Sequence, residues 1–185
     1  MSHRPVSERR KPPPLSPQKL EELALAYVAR FASSAAKVEQ YLQRKLRERG
    51  WNGDSPPDPR AIVERFAELG YIDDEAWARA KGGSLMRRGY GARRVDQTLS
   101  AAGIDAAMRV EVRADDRAQR QAAVAYAMRR RLGPWTAEPP DRAVREKQIA
   151  SLLRAGHGFD ISRAVVDAPS VADAERWADE VEEFP

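Results

Sequence analysis

Apolar residues recur along this chain at intervals of three and four positions, which is the spacing of one face of an α-helix. The pattern is clear in two early segments, 20–31 and 38–46. Runs of alternating apolar and polar positions, which would indicate strands, are nearly absent. The chain is therefore predicted to be an all-α protein.

The 13 prolines fall mostly into three clusters, at 5–17, 56–59 and 134–140. A proline costs about 3 kcal/mol inside a helix, so these clusters mark joints between helical stretches. The first cluster lies in a basic segment with no apolar centre. We therefore expect residues 1–16 to form a disordered N-terminal tail.

Three leucine-to-glycine pairs of the same spacing, Leu46/Gly50, Leu99/Gly103 and Leu152/Gly156, have glycines that are 53 residues apart. Each pair closes a helical pattern, and a module of this size buries too little core to stand alone. The spacing predicts three tandem three-helix repeats in an elongated array. The predicted boundaries are 17–70, 71–113 and 114–167, followed by an acidic C-terminal tail at 168–185 with a weak helical pattern.

Composition excludes several classes of protein. No apolar run approaches the roughly 18 residues of a membrane span. The absence of cysteine excludes disulfide scaffolds, thiol nucleophiles and cysteine-ligated zinc. The only histidines, His3 and His157, are far apart, and no catalytic or metal-binding pattern is recognised. We expect a cytoplasmic, monomeric binding protein that is not an enzyme and has no cofactor.

Charge is distributed unevenly along the chain. The formal net charge is +4, but the last 18 residues carry six acidic side chains and one arginine, so the rest of the chain carries +9. A basic body of this kind favours a polyanionic partner or a negatively charged groove.

Two arginine pairs, Arg87-Arg88 and Arg93-Arg94, flank the segment Gly89-Tyr90-Gly91. Guanidinium groups bind phosphate or carboxylate in a bidentate manner, and Tyr90 offers an aromatic face for a base or an interface. The glycines are expected to let this backbone approach a partner, although a solvated loop is an equal alternative. Further candidates that would extend the basic face are Lys45, Arg49, Arg129, Arg130, Arg145 and Lys147.

The acidic pair Asp73-Asp74 admits two interpretations, a metal or acid-base site and a helix cap. Its position just before a helical pattern favours the cap, where a carboxylate accepts hydrogen bonds from the first turn.

Residues 70–78, with the sequence GYIDDEAWA, resemble the signature of the RecX family of bacterial recombinase regulators. The basic joint at 87–95 and the segment 24–28, with the serines after it, are also similar to that family. The resemblance covers roughly residues 20–166. It departs from the family at 155–157, where an arginine, a glycine and an aromatic residue are usual.

This resemblance implies a curved, extended molecule of three tandem three-helix repeats. It also implies binding to the RecA recombinase, commonly along the groove of its filament on single-stranded DNA. The implied effect is inhibition of its recombinase, ATPase and coprotease activities in DNA repair and the SOS response. The residues themselves leave one alternative open, direct binding of single-stranded DNA without the recombinase.

Overall fold

The fold is all-helical, as predicted. The computed structural model describes residues 12–138 and 140–180, and within these ranges it contains ten α-helices, one 3-10 turn and no strand. The chain divides into two compact units after Asp74.

Unit 1 contains three helices, α1 (Pro17–Arg30), α2 (Ala35–Arg49) and α3 (Pro59–Glu68). Two of them begin as proline rules predict, since Ser16 accepts a hydrogen bond from Lys19 N and Asp58 accepts one from Ala61 N, each with proline next. The three helices bury one apolar core, which includes Leu20, Ala24, Val38, Leu42, Val63 and Phe66.

The predicted disordered tail needs correction at its end. Leu15 is fully buried in the core of unit 1. Its N–H donates to Gly50 O (3.0 Å), and its carbonyl accepts from Asn52 N (2.8 Å). Residues 12–16 are held because an apolar side chain and two backbone bonds compensate their ordering, while residues 1–11 lie outside the described residues.

Asp74 also differs from the simplest capping prediction. Its Oδ1 accepts a hydrogen bond from Ala35 N, at 2.8 Å, and so satisfies a first-turn donor of α2. Asp74 therefore has a structural role that reaches beyond its own helix.

The remaining helices lie in unit 2, except that Asp74, the first residue of α4, belongs to unit 1. Their bounds are α4 (Asp74–Arg87), α5 (Ala92–Ser100), α6 (Ala106–Glu111), α7 (Asp116–Arg130), α8 (Arg142–Arg154), α9 (Phe159–Val166) and α10 (Val171–Asp179). A 3-10 turn at Gly133–Trp135 follows α7. Helix α7 lies between two cores, since Ala122 packs with α4 and α5 whereas Ala123 packs with α8 and α9. Small side chains on α7 thus serve both cores.

The three equally spaced glycines follow α2, α5 and α8, with φ values of 81°, 80° and 98°. These are left-handed conformations that favour glycine at a helix end. The three-repeat division and the elongated array stay predictions.

Helix α10 packs on α7 through a buried arginine. The Arg120 guanidinium donates to Glu180 O (2.9 Å) and Trp177 O (3.4 Å) and lies 5.6 Å from the Trp177 ring centroid. The helical pattern predicted in the acidic tail therefore corresponds to a helix at Val171–Asp179, whereas residues 181–185 lie outside the described residues.

Candidate functional site

The predicted basic joint is built on a close backbone contact between two turns of unit 2. Gly91 N donates to Ala155 O (3.0 Å), and Arg93 N donates to Gly156 O (3.1 Å). A Cβ atom added at Gly91 would lie only 2.3 Å from the carbonyl carbon of Gly156. The glycines were expected to admit a partner's backbone, but they admit the chain's own 155–157 turn instead.

His157 adds a side-chain hydrogen bond to this contact. Its side chain is buried, and Nε2 lies 3.0 Å from Gly89 O, so the neutral ring donates to that carbonyl. Burial lowers the pKa of His157, and the bond to Gly89 offsets only part of that effect. The turn residue predicted from sequence is therefore a buried support for the joint.

The end of α7 completes the joint. Arg129 Nη2 donates to Arg87 O (3.1 Å), and its Nε donates to Ala125 O (3.0 Å). Guanidinium groups also lie against two rings, Arg88 against Tyr90 (5.5 Å) and Arg130 against Tyr126 (5.8 Å). These contacts bring segment 125–131 to the same place as segment 87–94.

Three segments therefore converge, 87–94, 125–131 and 150–158, and none of them contains an aspartate or a glutamate. We extend the name basic joint from residues 87–95 to these three segments together. All eight of their arginines are exposed: Arg87, Arg88, Arg93, Arg94, Arg129, Arg130, Arg131 and Arg154. Their side chains can pair with phosphate or carboxylate groups, because no acidic neighbour within these segments competes for them.

Sequence reasoning had not singled out Arg131 or Arg154 for this site. Arg131 adopts a left-handed conformation (φ 54°) at the end of α7, and Arg154 comes just before the Gly156 turn. The three-residue run 129–131 was a visible signal, whereas the place of Arg154 depends on the packing of the two turns.

Tyr90 is half-buried and packs against the core formed by α4 and α5. The Arg88 guanidinium lies over its ring. The aromatic face predicted to meet a base is thus engaged within the joint itself.

The other predicted contact residues lie outside the basic joint, and three of the four have a partner within their own unit. In unit 1, Lys45 pairs with Glu48 (2.7 Å), and Arg49 donates to Pro13 O from Nε and Nη2. In unit 2, Arg145 pairs with Asp167, whose pKa it lowers by hydrogen bonding to that carboxylate. Lys147 is exposed on α8.

No group of three or more histidine, aspartate or glutamate side chains that could hold a metal ion occurs in ranges 12–138 and 140–180. In the same ranges, no helix combines the length and apolar character needed to cross a membrane.

The fold and the site define an all-helical protein with a cluster of exposed arginines, and its relatives identify its family. The regulatory protein RecX of Myxococcus xanthus (strain DK1622) is 30% identical over 168 residues, covering 86% of this chain and 90% of that protein. The regulatory protein RecX of Mycobacterium sp. (strain JLS) is 29% identical over 184 residues, covering 93% and 95%. The chain belongs to the RecX family of regulatory proteins. No family model matches it.

Two solved structures share the fold. The crystal structure of RecX from Lactobacillus salivarius superposes with a TM-score of 0.63 at 22% identity, over 80% of this chain and 93% of that one. A second crystal structure, of a regulatory protein RecX, gives a TM-score of 0.65 at 18% identity, over 81% and 71%. The all-α prediction and the family resemblance are therefore confirmed.

Proposed function

We propose that this chain binds the RecA recombinase filament and inhibits its recombinase, ATPase and coprotease activities in DNA repair and the SOS response. Its family membership supports a regulatory role. The observation that carries the proposal is the convergence at the basic joint of three segments that together carry eight exposed arginines and no acidic residue.

The basic joint suits such a partner because its scaffold is fixed before binding. The Gly91 and Arg93 backbone bonds and the His157 bond to Gly89 hold the turns together. Exposed guanidinium groups on a fixed backbone lose less conformational entropy on binding than groups on a mobile loop. The proposed contact residues are Arg87, Arg88, Tyr90, Arg93, Arg94, Arg129 and Arg130 in the basic joint, with Lys45, Arg49, Arg145 and Lys147 as further candidates elsewhere in the proposed three tandem repeats.

The test is a charge reversal that leaves the internal bonds in place. Arg88→Glu with Arg94→Glu changes two exposed side chains of the basic joint and spares Arg129, whose guanidinium holds Arg87 O. The matched control, Arg60→Glu with Arg142→Glu, makes the same charge change at two exposed residues outside the joint.

Hydrolysis of ATP by recombinase on single-stranded DNA is measured while the concentration of this chain is raised. We expect half-inhibition by the Arg88/Arg94 variant to need at least about tenfold more protein, a loss of about 1.4 kcal/mol in binding. The control should inhibit like the unmodified chain. Equal inhibition by both variants would refute the basic joint as the contact surface.

Direct binding of single-stranded DNA is the second candidate, because the same uncompensated arginines fit a phosphate backbone. A chain that binds DNA alone should lose affinity with salt at a slope of roughly −0.7 for each phosphate contacted. Negligible affinity for a bare oligonucleotide at physiological salt would exclude this candidate and leave the filament proposal standing.

A further inference from the structure

A cleft of about 840 Å³ opens in unit 2 among α4, α5, α6, α7 and the loop that follows α6. Its volume lies within the roughly 300–1,000 Å³ typical of binding pockets. The site residues predicted from sequence touch it only at Arg87 and Arg93. The cleft is therefore a feature that the proposed function does not explain.

The lining combines apolar side chains with a cationic rim. Its apolar residues include Met86, Val95, Leu99, Val112, Ala118, Ala122 and Ala125. Five arginines and one aspartate contribute the charged side chains: Arg79, Arg87, Arg93, Asp96, Arg109 and Arg113. A ligand that fills this cleft must present both apolar and anionic groups.

Most of the positive charge is not neutralised by the chain itself. Asp96 pairs with Arg109 (2.8 Å), and Glu75 pairs with Arg79 (2.8 Å). Arg87, Arg93 and Arg113 make no ion pair within residues 12–138 and 140–180. Three exposed guanidinium groups thus face solvent around an apolar interior.

The spacing of the cations indicates an extended ligand. Arg79 and Arg87 are eight positions apart on α4, which corresponds to about 12 Å along the helix axis. A single phosphate or carboxylate does not span that distance. On α7, Ala118, Gln121, Ala122 and Ala125 line the cleft at helical spacing, and three of these four side chains are small enough for another helix to approach.

The lining also distinguishes between polyanions. None of the lining residues, all of which belong to the described chain, is aromatic, and single-stranded nucleic acids are usually held by stacking of bases on aromatic rings. A carboxylate already lies at the edge of the cleft, since Asp179 Oδ1 accepts from the lining residue Gln121 (2.7 Å). These observations favour a ligand that combines carboxylates with apolar side chains over a nucleic acid.

We propose that this cleft binds an acidic amphipathic helix of a partner protein. The apolar face of that helix packs on the Ala118 face of α7 and on Met86, while its glutamates or aspartates pair with the arginines of the rim. This is the helix-in-groove mode of recognition. The proposal does not depend on binding to the recombinase filament.

The probe is a fluorescein-labelled peptide of about 14 residues, roughly 21 Å as a helix, with leucine and phenylalanine on one face and glutamate elsewhere. Two matched peptides accompany it, one with the apolar residues scrambled around the helix and one with glutamine for glutamate. Binding to the full chain is measured by fluorescence anisotropy. We expect the designed peptide to bind and both matched peptides to bind at least about tenfold more weakly.

Three variants locate the site. Ala118→Phe fills the cleft and is expected to weaken binding at least about tenfold, and Arg113→Glu is expected to weaken it several-fold. Arg142→Glu, an exposed reversal outside the lining, should bind like the unmodified chain. Arg113→Glu keeps the test decisive if Ala118→Phe unfolds, which thermal unfolding reveals.

Several results would overturn the proposal. These are equal binding of the scrambled peptide, displacement of the peptide by millimolar phosphate, and unchanged affinity in Arg113→Glu. An oligo-dT that binds in an Ala118-dependent manner would assign the cleft to nucleic acid instead. Self-association lost on Ala118→Phe would assign it to a second copy of this chain.

Discussion

Replacing Gly91 with alanine tests the backbone contact that supports the basic joint. The added Cβ would lie 2.3 Å from Gly156 C and 2.4 Å from both Gly156 O and His157 N, whereas nonbonded carbon atoms prefer about 3.5–4.0 Å. The neighbouring atoms are backbone, so no side chain can rotate away. The two turns must separate by more than about 1 Å, or the surrounding core must strain.

The cost follows from the bonds that such a separation breaks. Three hydrogen bonds join the turns, from Gly91 N, Arg93 N and His157 Nε2, with lengths of 3.0, 3.1 and 3.0 Å. At about 1 kcal/mol each, their loss amounts to about 3 kcal/mol, and overpacking alone costs about 1–3 kcal/mol. We expect Gly91→Ala to lower the free energy of unfolding by about 2–4 kcal/mol.

Gly158→Ala is a closely matched control. Gly91 and Gly158 each precede a helix with extended backbone, at φ −79° and ψ 167° and at φ −69° and ψ 159°, but a Cβ at Gly158 meets nothing within 4 Å. Both changes share the effect of alanine on the unfolded chain and on the helix start. The difference between them therefore isolates the contact with the 155–157 turn.

Urea unfolding followed by far-UV circular dichroism measures both variants. With a denaturant slope of about 1–3 kcal/mol per molar urea, a loss of about 3 kcal/mol lowers the midpoint by about 1 M or more. Midpoints for Gly91→Ala and Gly158→Ala that agree within about 0.3 M would refute the close contact. The basic joint would then have a looser support than the structure indicates.

Two further predictions concern other buried groups. Because burial lowers the pKa of His157, the unfolded chain binds the extra proton as pH falls below about 6.5, and stability should decrease there by up to about 1.4 kcal/mol per pH unit. His157→Gln should flatten this dependence when unfolding is measured between about pH 7.5 and 5.5, and an unchanged slope would contradict the assignment. Leu15→Ala should cost about 2–5 kcal/mol in unfolding free energy, because the side chain is fully buried. A melting temperature for Leu15→Ala equal to that of the unmodified chain would contradict the proposed anchoring of residues 12–16.

Much of the fold could be predicted from sequence because its signals are local. Proline clusters, cap residues such as Asp58 and the glycine stops act over a single helical turn. Leu15 escaped prediction because it precedes the first helix, and its burial depends on contacts with residues 50–52, far along the chain.

The candidate site was less accessible to sequence reasoning. The arginine pairs around Tyr90 were visible, but the contact between Gly91 and Gly156 joins positions 65 residues apart. In the sequence, Arg49 and Arg145 looked available to a partner. In the structure, Arg49 donates to Pro13 O and Arg145 pairs with Asp167. The cleft was missed because Arg109 and Arg113 line it only after α6 and its following loop pack beside α4 and α5.

The hydrogen bond from Ala35 to Asp74 has a practical consequence for dissecting the chain. A fragment cut at residue 70, where the sequence repeat suggests a boundary, would remove a carboxylate acceptor from the first turn of α2. A fragment extended through residue 74 keeps that acceptor, so limited digestion or recombinant expression of the N-terminal half should favour the longer piece. Asp74, the first residue of α4, therefore sets how far a fragment must extend to keep the start of α2 intact.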